Sequence, residues 1–448
     1  MKYTTKEEIF VRAQQAIGVR FGQIVSSQSD LEDDFNKGSI GNMIQEKHFG
    51  YAVNSRAEAD FVEAGVELKV TPYRRVRNGI SAKERLVLNI IDYMSEYKNT
   101  FETSSFWTKN HTIQLMFYEY NPDTPRVNWY ISHVYLWDMR HEPHLNQFRQ
   151  DWQLIHEMIA TGRAHELSEG MTMYLGACTK GKDGTSTRQQ PFSPEYAKQR
   201  AYSIKNSFMS VMVNEIISQT RLTLPTIYAM PTTQNTSFEQ YVVGMIRKFI
   251  GRTQVSLGEE FGIDLTNKSV NAMLVARMLN IKGQINQTLE FVKASIVLKT
   301  IVLDADNKLR ESMSFPKFRF KELAAETSWE ESAMYDYFES AKFLFVVFKR
   351  RTDGNLIFRG VKFWSMPPQD ITAYGDVWRR AVHAVKEGDE TLFPKQSDHA
   401  IGHVRPHALN KHDTDEMPNG THATKRCFWL NNSYILSQLG DFSYDPLQ

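Results

Sequence analysis

Cysteine is scarce: Cys178 and Cys427 are the only two in 448 residues. Two thiols cannot form a disulfide framework, and no Cys/His cluster has zinc-finger spacing, so a reducing setting is expected. Long apolar runs are missing as well. The N-terminus, MKYTTKEEIFVRAQQAIG, has an amphipathic helix pattern without the apolar stretch of a signal peptide. A cytoplasmic location with no membrane partner is the expectation. No single sign of charge dominates, since 53 basic and 52 acidic residues leave a net charge of +1. That balance excludes the uniformly basic surface of non-specific nucleic-acid binders. Phosphate-cradling Walker loops, dinucleotide fingerprints and G-x-S-x-G elbows are absent, which argues against nucleotide hydrolysis and esterase chemistry.

What is present is globular: 41% apolar and 23% charged residues, in a chain long enough for two or three domains. The basic residues are unevenly placed. KVTPYRRVRNGISAKER holds Lys69, Arg74, Arg75, Arg77, Lys83 and Arg85 against one acid, Glu84. Such a run is either a solvated face or an edge that meets phosphates.

Self-similarity divides the chain. AGVELKV at Ala64 returns as ASIVLKT at Ala294, SIGNMI at Ser39 as SVNAML at Ser269, and IQLMFYEY as FLFVVFKR. VYLWDM returns as VKFWSM, YLGACTKG as AIGHVRPH and KQRAYSIKNSF as KRCFWLNNSY, in the same order and at an offset of about 230 positions. A tandem duplication follows, with one domain over residues 1–229, a linker at 230–235 in the Pro/Thr/Asn-rich stretch LPTIYAMPTTQNTSFEQ, and a second domain over 236–448. Each half begins with helices, clusters its strands in the middle (VELKVTP, RLVLNII, TIQLMFYEY and NWYISHVYLWDM in the first), and ends on a long helix, a strand and a final helix. The expected class is α/β (α+β), each half a mixed central sheet flanked by helices.

In GVELKVT, alternation puts Val66, Leu68 and Val70 on the core face and Glu67 and Lys69 together on the other. Asp60 lies upstream of the Gly65 bend, within reach of Glu67 if the chain pairs back on itself. Two close carboxylates repel, and a divalent cation relieves the repulsion; hard oxygen ligands suit Mg²⁺. An ammonium beside the metal can orient or deprotonate the attacking water and offset charge building on the phosphate. Asp followed by Glu-x-Lys is thus a minimal phosphodiesterase set, although Glu-x-Lys alone is equally the mark of an exposed strand face. The second half sharpens the choice: EFVKASIVLKT puts Glu290 at the place of Asp60 and Val297 at that of Glu67, and retains Lys299, while Ala276 stands opposite Glu46. Two acids lost at matched positions suit an active copy beside an inactive one. Elsewhere, the histidines of HVRPHALNKHDTDEMPNGTH read as a polar loop, not a zinc site. Trp129, Tyr130, Tyr135 and Trp137 read as strand core.

DFVEAGVELKVTP, with KGSIGNMIQE before it and FETSSFWTKN, DWQLIHEMIATGR, YLGACTKG and QRAYSIKNSF after it, resembles the MutH and GATC-cutting type II restriction endonuclease family of the PD-(D/E)xK nuclease class. The resemblance implies Mg²⁺-dependent hydrolysis of double-stranded DNA at 5'-GATC-3', a cognate DNA methyltransferase as genetic partner, and a monomer in solution that can pair on DNA. Asp60, Glu67 and Lys69 fall on the family's catalytic acid, acid and lysine, and Lys109 on a further lysine. Ala59 stands where the family often has proline. The family's helix glutamate falls on Gln45 counting from Gly41 and on Glu46 counting back from Phe49-Gly50. Glu46 is preferred, because a carboxylate holds a metal or its water and an amide does so poorly, which makes Asp60, Glu67 and Glu46 the implied metal ligands.

For base reading the family uses a loop of Arg-Pro-Lys type. Here Lys180 takes the lysine position behind Cys178 and Thr179, and Lys205 joins the implied DNA contacts. In the second half, Arg405 and His407 keep more of the motif. Arginine and lysine are the usual partners of guanine O6 and N7. A half with a reading loop but no acids would bind DNA without cutting, so the protein could engage two sites at once. Two other readings are a non-catalytic sequence-specific DNA-binding protein, which need not keep Asp60, Glu67 and Lys69 together, and a MutH-like mismatch-repair nickase, which leaves the degenerate half without a role.

Overall fold

The computed structural model describes residues 2–25, 39–53, 58–77, 79–180, 186–227 and 236–440; the expected linker at 230–235 lies outside the described residues. The chain divides into two compact units, Met1–Leu224 with Val292–Ser295, and Pro225–Phe291 with Ile296–Gln448.

The first unit opens with the helix Lys6–Gln14, started by a capping box in which Thr5 accepts from the Glu8 N–H and the Glu8 side chain reaches back. Its strands are β1 (Glu67–Val76), β2 (Gly79–Ala82), β3 (Leu86–Ile90), β4 (Thr112–Glu119), β5 (Ile131–Asp138), β6 (Leu175–Thr179), the short pair β7 (Thr187–Arg188) and β8 (Ala197–Lys198), and β9 (Arg200–Ile204). The mixed central sheet has the order β2-β1-β4-β5, with β1 parallel to β4 and the other pairs antiparallel. Beside it stands an antiparallel sheet of order β3-β9-β6. Sequence patterning distinguishes strand from helix but not which strands share a sheet, so this division into two sheets was not foreseen.

Under the start of β1, Val66 and Leu68 join Ile9, Phe21, Ile44, Phe61, Met116 and Ile131 in one buried cluster, with Val70 packed against it. This is the core face that alternation predicted. Of the aromatic stripe, Trp129 and Trp137 are buried, whereas Tyr130 and Tyr135 are exposed.

The second unit has β10 (Ile296–Leu303), β11 (Met313–Lys317), β12 (Lys342–Arg350), β13 (Leu356–Trp364), β14 (Gly402–Pro406), β15 (Thr414–Glu416), β16 (His422–Thr424) and β17 (Arg426–Leu430). It repeats the first unit's plan: β10 runs parallel to β12, which is antiparallel to β13, and a separate antiparallel sheet has the order β11-β17-β14. The registers also agree. Glu67 is opposite Ile113 in the first parallel pair and Val297 is opposite Phe343 in the second.

In the first unit the long helix Leu145–Ala160 buries Phe148, Trp152, Ile155 and Ile159 along one face. Asp151 interrupts that face, and its buried carboxylate accepts the backbone N–H groups of Met173 at 2.9 Å, Tyr174 at 2.6 Å and Leu175 at 2.9 Å. It therefore fixes the entry into β6. Asp151→Ala would leave those three donors without a partner, and we expect a loss of about 3 kcal/mol or more in denaturant unfolding of the first unit.

Candidate active site

The site begins at a tight turn. Residues Val62–Ala64 form one 3-10 turn that closes on Gly65 in the left-handed region at φ 62°, a conformation glycine adopts without a Cβ penalty. The turn folds Phe61 back onto Val66, with backbone hydrogen bonds of 2.9 and 3.3 Å in the two directions. Asp60 and Glu67 are thereby brought side by side and lock each other. The Asp60 N–H donates to Glu67 Oε2 at 3.2 Å, and the Leu68 N–H donates to Asp60 Oδ2 at 3.0 Å.

Two ammonium groups face this pair. Lys69 Nζ lies 2.9 Å from Glu67 Oε1 and donates to the Leu88 carbonyl at 3.2 Å. Lys109, on the helix Ser105–Asn110, lies 3.7 Å from the same Glu67 oxygen. Glu67 is only 2% exposed. Burial pushes its carboxyl above the ordinary glutamate range, Lys69 and Lys109 pull it down, and Asp60 adds to the rise by like-charge repulsion.

The expected face of Glu67 and Lys69 is therefore real, but it is enclosed, not solvated. Two adjacent carboxylates of hard oxygen donors, repelling one another beside lysines, fit a divalent cation that keeps several waters of its own. Asp60 and Glu67 are the residues that would hold it. Among the described residues no group of three Asp, Glu, His or Cys side chains comes together to hold a metal. Glu46 thus does not join the pair and is exposed. Gln45 is the buried one, its Nε2 donating to the Ala52 carbonyl at 3.4 Å. The count from Gly41 therefore reaches the buried side chain, whereas the preference for a carboxylate selects its exposed neighbour; both lie on the π-helical stretch Ile44–His48.

Lys205 is also corrected. It is 1% exposed and donates to the Thr172 carbonyl at 2.7 Å, inside the first unit and away from any surface that DNA could reach. Lys180 is exposed at the end of β6; the five residues after it lie outside the described residues. The basic run also splits. Arg74, Arg75, Arg77 and Lys83 are exposed, with Arg75 paired to Glu119 at 3.0 Å and Lys83 over the Tyr120 ring at 3.9 Å. Arg85 instead turns inward to the buried Glu169. The Leu88 carbonyl that holds Lys69 has no sequence signal, because any residue supplies a carbonyl.

In the second unit the same place is differently furnished. Val297 occupies the position of Glu67. Glu290, expected opposite Asp60, is buried and accepts from the Thr226 hydroxyl and, at 3.1 Å, from the Ile227 N–H. Lys299 survives and donates to the Ser314 carbonyl at 2.6 Å. Farther along, Arg405 is exposed with its guanidinium 3.7 Å from the Trp429 ring centroid, and the exposed His407 ring lies 5.4 Å from the same ring.

Glu67 and Lys69 on the opening strand of a mixed sheet, with Asp60 folded back before it and Lys109 facing them from a helix, form an arrangement suited to a metal-dependent nuclease. Residues 49–151, which include the whole Asp60–Lys109 cluster, match the family described as DNA mismatch repair enzyme MutH. The chain is 36% identical to the type II restriction enzyme Sau3AI of Staphylococcus aureus, over 98% of this chain and 99% of that one. It belongs to that family of MutH-like type II restriction endonucleases, which are metal-dependent nucleases acting on DNA. It is also 30% identical to the DNA mismatch repair protein MutH of Shewanella woodyi over 41% of this chain and 79% of that one, and 26% identical to MutH of Haemophilus influenzae over 46% and 97%. One MutH length thus corresponds to about half of this chain.

The electrostatics of Glu67 make a prediction about stability. An unfolded glutamate ionises near pH ~4.3, whereas the folded one holds its proton to higher pH. Between those limits the folded state binds more protons, so stability falls as pH rises through the window. Glu67→Gln should therefore raise Tm in EDTA at pH 7.5 by about 1–3 °C, and calorimetry at pH 4 should show the gain gone.

Proposed function

We propose that the first unit cleaves double-stranded DNA at 5'-GATC-3' with Mg²⁺, and that the second unit binds a further GATC duplex without cutting it. The observation that carries this reading is the contrast between the two units at one register. Asp60, Glu67, Lys69 and Lys109 converge in the first. The second has Val297 at the Glu67 place and has Glu290 turned to its own backbone. The near full-length likeness to a type II restriction enzyme supports the reaction class, and the GATC site rests on the sequence motifs.

Asp60 and Glu67 would hold the cation, whose chemistry there would be Lewis-acid stabilisation of the phosphate and acidification of a water. Lys69, fixed between Glu67 and the Leu88 carbonyl, orients the attacking water, and Lys109 adds positive charge where the phosphate gains negative charge. Because Glu67 lies away from bulk water, each of these interactions is stronger than it would be on an open surface. Lys180 on the first unit and Arg405 with His407 on the second contact DNA. Stacking on Trp429 holds the Arg405 guanidinium ready for a guanine edge. A cognate methyltransferase protects the host's own sites, and the protein works in the cytoplasm as a monomer that pairs on DNA.

With unmethylated plasmid, cutting should require Mg²⁺ and stop in EDTA, and sequenced ends should fall only at GATC. Asp60→Ala should slow cleavage roughly 100- to 1,000-fold or more while duplex binding stays close to that of the parent. Cutting at parental speed by Asp60→Ala would reject the site; binding without any cutting by the parent would favour the non-catalytic DNA-binding reading. For the second unit, a GATC duplex added in trans should speed cleavage of a one-site DNA, and Arg405→Ala should weaken that response by roughly 10-fold, as loss of one base contact does. No response in the parent at any duplex concentration would leave the second unit a purely structural part.

A further inference from the structure

Lys109 sits on a helix of six residues, too short to be rigid by itself, yet its ammonium must stay near one oxygen of Glu67. A chain of partly buried hydrogen bonds runs along that helix. The Asn110 Nδ2 donates to Asn89 Oδ1 at 2.8 Å, the Asn89 Nδ2 donates to Ser105 Oγ at 3.1 Å, and the Ser105 hydroxyl donates to Glu96 Oε2 at 2.8 Å. Each donor points onward to the same carboxylate. Glu96, 1% exposed, is itself fixed by the Trp152 indole N–H at 3.2 Å and the Tyr202 hydroxyl at 3.0 Å. Asn89 thus clasps the first and the last residue of the helix, and it directly follows Leu88, whose carbonyl holds Lys69. One short strand, β3, sets the place of both lysines.

The second unit is an internal control. Its corresponding helix, Ala333–Ser340, is also capped by a serine, Ser332, whose hydroxyl accepts from the N–H three residues on, as Ser104 does. A tie between carboxylate, tryptophan and helix start is kept too, although nearer the surface: Glu326 accepts from the Trp378 indole at 2.6 Å and the Ala333 N–H at 2.9 Å, as the buried Glu96 accepts from Trp152 and the Ser105 N–H. The relay is gone, however. Ala333 is the first residue of its helix, as Ser105 is, and Ser340 the last, as Asn110 is, although the second unit's helix has 8 residues against 6. Leu86 and Met313 lie opposite Ile204 and Leu430, each the last strand residue before a helix cap, so Asn89 corresponds to Pro316. Where Lys109 precedes Asn110, Glu339 precedes Ser340. The second unit has the same plan without the relay, and it lacks counterparts of Glu67 and Lys109 as well.

We propose that Asn89, Ser105 and Asn110 are positioning residues that hold Lys109 at Glu67. This rests on the reading of Asp60, Glu67, Lys69 and Lys109 as the cutting site. A partly buried hydrogen-bonded relay of this kind gives geometric precision because each member is oriented by the next.

The test is single-turnover cleavage of a radiolabelled GATC duplex, with duplex affinity and Tm measured on the same variants. Ser105→Ala, the residue of the other unit, should slow cleavage about 10- to 100-fold, the range expected when a group is misplaced by about 1 Å, with duplex Kd within about 2-fold. Ser105→Thr, which restores a hydroxyl, should recover most of the rate. In a Lys109→Ala background, Ser105→Ala should cost nothing more, since residues acting through one group are not additive. Parental speed in Ser105→Ala, or equal slowing with and without Lys109, overturns the proposal. If Ser105→Ala fails to fold, Asn110→Ser enters the same cycle under the same criteria. Asp60→Ala run in parallel separates the two ideas: undiminished cutting rejects the site itself, while its loss alongside additive Ser105 and Lys109 effects rejects only the relay.

Discussion

A carboxylate taken out of water at the first residue of a parallel strand is the constraint around which the first unit is built. Glu67 cannot be buried cheaply, since a desolvated charge without partners costs several kcal/mol. Every nearby feature answers that cost. The Gly65 turn delivers the Asp60 N–H to one oxygen, Lys69 and Lys109 stand at the other, and β3 holds the lysine from the far side. The compensation is incomplete, because burial still pushes the Glu67 carboxyl upward. An incompletely balanced pair of carboxylates is the condition under which a divalent cation binds to best effect.

The second unit shows what happens when the constraint is lifted. Val297 at the same register is an ordinary strand residue, and Glu290 has become a local cap for the chain at Thr226 and Ile227. This unit has the same double-sheet plan and an exposed arginine stacked on a tryptophan. Cutting and reading make different demands. The first needs charge withdrawn from solvent, while the second needs donors stiffened at the surface. Under the proposed division of roles, two units of one plan meet both demands without compromise within one site.

How far the sequence disclosed this depended on whether the physics was periodic. Alternation in β1 identified Val66, Leu68 and Val70 as core and paired Glu67 with Lys69, because strand geometry leaves no other choice. The internal likeness exposed the missing acid at Val297, since strands of one plan keep one register. Where periodicity broke, inference broke too. On the π-helical Ile44–His48, the offset from Gly41 reaches the buried Gln45, but preferring a carboxylate for its chemistry leads to the exposed Glu46. Lys205 is carried over as a DNA contact by resemblance alone, yet it is buried, and the Thr172 carbonyl ahead of β6 accepts from its ammonium. The partition of the strands into two sheets, and the roles of Leu88 and Asn89, depend on contacts between distant segments that no local pattern encodes.

The persistence of the lysine in both units follows from the same geometry. Lys69 belongs to the mixed sheet through β1 and donates to β3 of the antiparallel sheet; Lys299 belongs to β10 and donates to β11 in the same way. In each unit the side chain is a strut between two sheets that share no backbone hydrogen bonds. Its removal would leave a strand carbonyl without this donor and a gap where the methylene stem runs. Burial lowers the basicity of Lys299, with the Cys427 thiol acting weakly in the opposite sense, so the strut is held at some electrostatic cost. A purely catalytic lysine would have been free to vanish with Glu67. Its presence in both units argues that the fold needs this lysine for its two sheets, and in the proposed mechanism the first unit turns a structural strut to chemistry by placing a carboxylate two residues before it.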